Sequence, residues 1–179
     1  MIVVEATPDL VRYVVVHMRE ESAAEAFASR PDDDYRGVAE DLVRALPHFA
    51  ALKVLAGDDG EPVCLVGVIP EAASRAIMVF LATARFPEQL RASHRWWRHE
   101  FVPKVMCRFR RVTFVGSLPN TISGRWLGWL GFECEGIARA HGKNGEDFAF
   151  WAWINPVVLD DARPGLGLSP QHREVEIHV

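Results

Sequence analysis

The stretch from Pro119 to Phe132, PNTISGRWLGWLGF, constrains this chain more than any other. An asparagine and a threonine precede an apolar run of helical spacing, and the run stops on Leu-Gly-Phe. It feeds directly into FECEGIARA (132–140) and DFAFWAWI (147–154), two alternating segments joined by HGKNGE, whose glycines and asparagine favour a tight turn. Helix, Gly-Phe, strand, turn and strand leave few folds open.

Upstream, IVVE (2–5) predicts a first strand, and Thr7-Pro8-Asp9 predicts a helix start. The hydroxyl caps, the proline lacks an N–H that the first turn does not use, and the acid faces the helix dipole. That helix is expected to run to about Phe27, with a second over VAEDLVRAL (38–46). LKVLA (52–56) and VCLVGVI (63–69) flank GDDGEP as a hairpin, and AIMVFLAT (76–83) is a buried-looking strand. Phe86, Leu90, Trp97, Phe101 and Val105 share one face of a long helix expected from Pro87 to about Cys107. RVTFVGS (111–117) is a further strand. The order predicts an α/β fold: one mixed sheet of about seven strands with helices on both faces.

At 179 residues the chain suits one domain, and a formal charge of −4 announces neither a nucleic-acid nor a membrane partner. Cys64, Cys107 and Cys134 form no CxxC pair, which suggests buried thiols in a reducing compartment. Glu5 and Asp9 oppose a signal peptide, and no apolar stretch reaches the roughly 18 residues of a membrane span. Residues 1–155 form the expected domain, and 156–179 an extended tail. In that tail Val175, Ile177 and Val179 alternate with polar residues as a strand seeking a sheet edge, on this domain or another subunit.

The order of elements, with PNTISGRWLGWLGFECEGIAR, resembles the GNAT (Gcn5-related N-acetyltransferase) family over residues 1–155. The resemblance implies that Asn120 lies beside the pantetheine arm of acetyl-CoA. Three features of the family's chemistry are missing. LATARFPE (81–88) has no glycine where a Gly-rich loop would hold a pyrophosphate, and it carries Glu88. Leu127 occupies the place of the tyrosine that protonates the leaving thiolate. The central strand offers Thr83 and no carboxylate base.

The long Trp/Arg-rich helix and RWLGWLGF also resemble a group of short-tailed phage proteins, internal virion protein A and its relatives. The residues carrying this likeness are Trp96, Trp97, Asn120, Arg125, Trp126, Trp129 and Leu130-Gly131-Phe132. The expectation is therefore a non-catalytic virion or virion-assembly accessory protein. It would have no cofactor and no catalytic residue, and would be made in a host cytoplasm and carried in the virion. Its partners would be other virion or assembly proteins, or further copies of itself. The alternative is an acetyl-CoA-dependent N-acetyltransferase with a divergent cofactor loop.

From Arg85 to Arg111, eight basic residues stand against Glu88 and Glu100. A solvated helix face is the plainer reading. The functional one is a grip on an acidic partner surface or nucleic acid through Arg91, Arg95 and Arg98, with Trp96 off the apolar stripe as an interface anchor. His94 and His99 are five apart, which does not suit a metal. Trp126 and Trp129 read as sheet-packing aromatics on one helix face.

Overall fold

Thr7 opens the first helix as the sequence predicts: its hydroxyl accepts the Leu10 N–H at 3.3 Å, and Pro8 takes the first turn. The helix does not reach Phe27. It ends at Val16 (α1, Pro8–Val16), and a second begins at Glu20 (α2, Glu20–Ala28). The break lies where three valines (14–16), stiff at χ1, are followed by a segment that leaves the helix to meet the sheet. Met18 forms a bridge with Thr83, and the Arg19 N–H donates to the Ala82 carbonyl at 2.9 Å, so the interruption keeps its backbone groups bonded.

This computed structural model describes residues 1–118 and 121–157, with Thr121 and Ile122 described by their backbone alone. Asn120 and the alternating end of the tail, Val175 to Val179, lie outside the described residues. The remaining helices are α3 (Tyr35–Ala45), α4 (Leu90–Trp96), α5 (Val102–Lys104) and α6 (Thr121–Trp129). The predicted long helix between Pro87 and Cys107 is interrupted. A 3-10 turn over Phe86–Gln89 leads into α4, a π-helical turn over Trp97–Phe101 follows, and α5 is a single turn. Pro103 accounts for the irregularity, because it lacks the N–H that would bond four residues back and its ring crowds that carbonyl.

The strands are β1 (Ile2–Glu5), β2 (Ala51–Ala56), β3 (Pro62–Ala72), β4 (Arg75–Ala82), β5 (Arg111–Ser117), β6 (Glu133–Ala138) and β7 (Phe148–Ile154). They form one seven-stranded mixed sheet in the order β1-β2-β3-β4-β5-β7-β6, with β4 and β5 its one parallel pair. The predicted α/β architecture is therefore the observed one.

Alternation along the strands feeds two cores. On one face Val54, Leu65 and Leu81 pack with Val11, Val14 and Val15 of α1 and Val38 and Ala39 of α3. On the other, Val66, Met78, Phe80, Phe114 and Trp153 pack with Trp97, Phe101, Trp126 and Leu127. Trp126 is buried against Phe80 and Phe86, whereas Trp129 stays 45% exposed, so only one of the two helix tryptophans packs on the sheet. Among the cysteines only Cys64 is buried; Cys107 and Cys134 are exposed, and all three are free. No described helix is long and apolar enough to cross a membrane.

Candidate active site

Strands β4 and β5 pair over only three residues, Arg75–Ile77 against Arg111–Thr113, and then diverge. The Thr113 hydroxyl donates to the Ala76 carbonyl at 3.3 Å beside the last rungs. Beyond that point β5 stays bonded to β7 as far as Ser117 and Phe148, and β4 stays bonded to β3. The sheet therefore splits toward the carboxyl ends of its parallel pair, where open α/β sheets take their ligands. The Ala82 N–H and C=O on this side are used by Ser22 Oγ and by the Arg19 N–H. The same alternation aims the Met78 C=O and the peptide groups of Phe80 into the split, beyond the last rung at Ile77 and Thr113.

The break between α1 and α2 delivers polar side chains to the mouth of this split. Arg19 is only 7% exposed. Its guanidinium donates to Ser22 Oγ at 3.3 Å and to Ser123 Oγ of α6 at 2.9 Å, and lies 5.9 Å from the Phe86 ring centre. Burial pushes its pKa down, while Glu21 and Glu25 act the other way, and an arginine remains a cation through such shifts. From the second turn of α2, half-buried Glu25 accepts the Ser117 N–H on Oε2 at 3.0 Å. Gly116 makes room for this approach: a Cβ there would lie 2.6 Å from the Phe114 ring and 3.3 Å from the Glu25 carboxylate.

These groups border a cavity of about 290 Å³ lined by Glu25, Phe114, Ser117, Ser123, Leu127 and Trp151, among others. A carboxylate, a serine hydroxyl backed by a buried cation and an apolar wall thus surround one space. The arrangement suits removal of a proton from one partner and delivery of a proton to another. The Cys64 thiol is no rival nucleophile, because burial raises its pKa far above the ordinary thiol range.

The turn after β4 is built otherwise. Thr83 Oγ1 donates to the Val63 carbonyl at 3.1 Å, the Phe86 N–H to Thr83 O and the Glu88 N–H to Arg85 O, both at 3.1 Å. The Arg85 N–H points to Thr83 Oγ1 at 3.4 Å, so the amides that could cradle a phosphate bond within the turn. The Arg85 guanidinium is held by Asp59 at 2.9 Å and Glu88 at 3.0 Å. The open edge of β4 beyond Ile77 offers backbone N–H and C=O partners of the kind the two amides of a pantetheine arm would take. A pyrophosphate does not fit this turn.

Of the residues singled out by sequence, Arg91, Arg95 and Arg98 are exposed along α4 and its continuation. Trp96 is half-buried, its ring 5.2 Å from that of Phe101. Among the described residues no cluster of His, Cys, Asp or Glu could hold a metal. Glu25, Arg19 and Ser123 were missed. The signal that could have found the first two is Arg19-Glu20-Glu21-Ser22, where paired acids mark a fresh helix N-terminus.

No protein-family model matches the sequence, and no curated protein matches it by sequence. Solved structures do match the fold. A GNAT-superfamily phosphinothricin acetyltransferase from Sinorhizobium meliloti, in complex with acetyl-CoA, aligns with a TM-score of 0.64 at 16% identity, over 86% of this chain and 87% of that one. A spermidine N-acetyltransferase from Vibrio cholerae, in complex with CoA and spermine, aligns with a TM-score of 0.63 at 11% identity, over 86% and 95%. An N-acetyltransferase from Staphylococcus aureus Mu50 aligns with a TM-score of 0.67 at 10% identity, over 86% and 98%. The fold is that of the GNAT acetyltransferases. This corrects the expectation of a non-catalytic phage virion accessory protein: these neighbours are acetyltransferases, and two of them hold acetyl-CoA or CoA.

Proposed function

We propose that this chain is an N-acyltransferase that moves an acyl group from a pantetheine thioester, acetyl-CoA being the donor to assay first, to an amine. The observation that supports it most is the Glu25 carboxylate, fixed by the Ser117 N–H at a cavity walled by β5, α6 and β7, on the fold of enzymes that bind acetyl-CoA or CoA. The thioester supplies a carbonyl carbon to which the amine nitrogen bonds as the carbon–sulfur bond breaks. Amine and acyl thioester thereby become amide and free thiol.

Glu25 takes up the proton that the amine nitrogen loses. Its Oε2 is held by a backbone donor, which orients the carboxylate at the cavity. Leu127 stands in the cavity wall and has no proton to give, so the Ser123 hydroxyl is the group that protonates the departing sulfur. The buried Arg19 guanidinium bonded to Ser123 Oγ eases that loss, because a nearby cation stabilises the negative charge left behind. The Met78 C=O and the Phe80 peptide groups, beyond the last β4–β5 rung, are the partners for the arm's amides.

The test is thiol release from millimolar acetyl-CoA with a panel of primary amines: spermidine, lysine, glutamate and a peptide beginning with alanine. Turnover above the uncatalysed rate is expected with one of them. Glu25→Gln, which keeps an acceptor for the Ser117 N–H, lowers kcat by about a hundredfold or more. Equal rates for the two proteins would rule the proposal out.

A further inference from the structure

We propose that the acyl group also reaches this site on the phosphopantetheine arm of an acidic carrier protein, which docks on the arginines of α4. The inference rests on the acyltransfer reading above and names the donor's bearer. A carrier protein offers the same arm as CoA, joined to a serine through a single phosphate in place of a pyrophosphate and adenosine. That is the part of the donor for which this fold provides. The Phe80 peptide groups of β4 face the split and a cavity opens along β5, while in the turn after β4 the amides of Arg85, Phe86 and Glu88 bond internally and Arg85 is bound to carboxylates of its own chain.

The arginines supply the second observation. Several guanidinium groups elsewhere find carboxylates, Arg12 with Glu40, Arg30 with Asp41 and Arg111 with Glu135, while others such as Arg36 and Arg75 are exposed without an ion pair among the described residues. Arg91, Arg95 and Arg98 are exposed, and among the described residues none of the three has an ion pair. The acids on the same stretch are engaged already, Glu88 by Arg85 and Glu100 by Lys104. Spacings of four and three place the three arginines in one row about 10 Å long. In a chain with 24 acidic side chains and a net charge of −4, what sets these three arginines apart is that they share one helix face with no acid bonded to them.

Its position fits the task. Arg91 stands in the first turn of α4, and the turn just before it packs Phe86 against Phe80 of β4 and Trp126 of α6. The row therefore begins at the open end of the split, where an arm must enter. An acidic helical protein seated on these arginines would have its arm next to the entrance, and charge complementarity would speed the encounter. Nucleic acid is the poorer occupant. Trp96, the aromatic beside the row, is packed on Phe101 and offers bases no stacking platform.

The experiment compares three donors with the best amine of the panel: S-acetyl-pantetheine, acetyl-CoA and an acetyl-loaded bacterial acyl carrier protein. The expected kcat/KM for the carrier-linked donor is at least tenfold above that for S-acetyl-pantetheine. Replacing Arg91→Glu, Arg95→Glu and Arg98→Glu together removes that advantage and leaves the S-acetyl-pantetheine rate unchanged, which also reports an intact fold. If the triple variant does not fold, raising salt to about 0.5 M does the same job, since it screens the row and spares the small donor. A carrier-linked donor no better than S-acetyl-pantetheine, or a loss shared by all three donors, would overturn the proposal. Should no donor turn over, the acyltransfer reading fails separately, and the surface is read by fluorescence titration of the unloaded carrier. Binding lost in the triple variant supports it, and no binding, or tighter binding of a single-stranded oligonucleotide, overturns it.

Discussion

On the β5 side of the split, polar groups border a cavity; on the β4 side they close a turn. Glu25, Ser117 and Ser123 border a cavity of about 290 Å³, and the Gly116 position keeps it clear. The Thr83–Glu88 turn closes on its own amides and on the Arg85–Glu88 and Arg85–Asp59 pairs. Both regions flank the same two strands, yet one places a carboxylate and a hydroxyl at a cavity and the other holds a turn in shape. The lesson is that gripping the reactive end of a thioester and gripping its distant phosphates are separable tasks. A fold can keep the first while its sequence gives up the second.

The comparison breaks most sharply at Ser123. Ser123→Ala removes both the proposed proton donor and the partner of a buried guanidinium, so kcat should fall by about 10- to 100-fold, the range set by one charge-assisted hydrogen bond. A donor with an activated leaving thiol, such as an acetyl aryl thioester, should recover most of the loss, because it departs without a proton. No rescue would move the role of Ser123 from chemistry to support of Arg19.

The β4 side should respond far less. Glu88→Ala frees one exposed partner of Arg85, and pairs of that kind are worth about 0–1 kcal/mol, so the KM for acetyl-CoA should drop by no more than about fivefold. The amides of the turn stay bonded whatever stands at position 88. A drop of a hundredfold would show that a phosphate site lay ready behind the carboxylate.

The smallest effect concerns stability. Burial, and after it Arg98, pushes the His94 imidazole below its ordinary pKa. The unfolded chain then binds more protons than the folded one near the ordinary histidine pKa of about 6.5. Stability from this group is fully present above that pH and is lost as pH falls through the lower folded value. His94→Gln should flatten the decline in denaturation midpoint between about pH 6.5 and 5. An unchanged slope would assign the acid sensitivity to other groups.

Much of the frame was legible because its signals are local. β5 occupies the stretch predicted for it, residues 111–117, and the Gly131 turn before β6 has the positive φ of 87° that only glycine adopts freely. The glycine-free turn after β4 was legible for the same reason, since a missing residue type needs no tertiary knowledge. Glu25 was not. It meets Ser117 across 92 residues of sequence, and it stands on a helix whose start at Glu20 was hidden inside a longer apolar pattern. Once Thr7 to Phe27 is taken as one helix, Arg19 becomes a mid-helix cation instead of the buried tie between the α1–α2 junction and Ser123. The split itself has no sequence signal, because it depends on where one ladder stops at Ile77 and Thr113.

The central claim is that this site works on a pantetheine thioester gripped by its arm and not by its diphosphate. The ratio of kcat/KM for acetyl-CoA to that for S-acetyl-pantetheine, with one amine and one preparation, tests it most directly. The account predicts turnover of both donors and a ratio within about tenfold, which limits the contribution of diphosphate and adenosine to about 1.4 kcal/mol. A preference for acetyl-CoA of about a thousandfold, or turnover of neither donor above the level of Glu25→Gln, would contradict it.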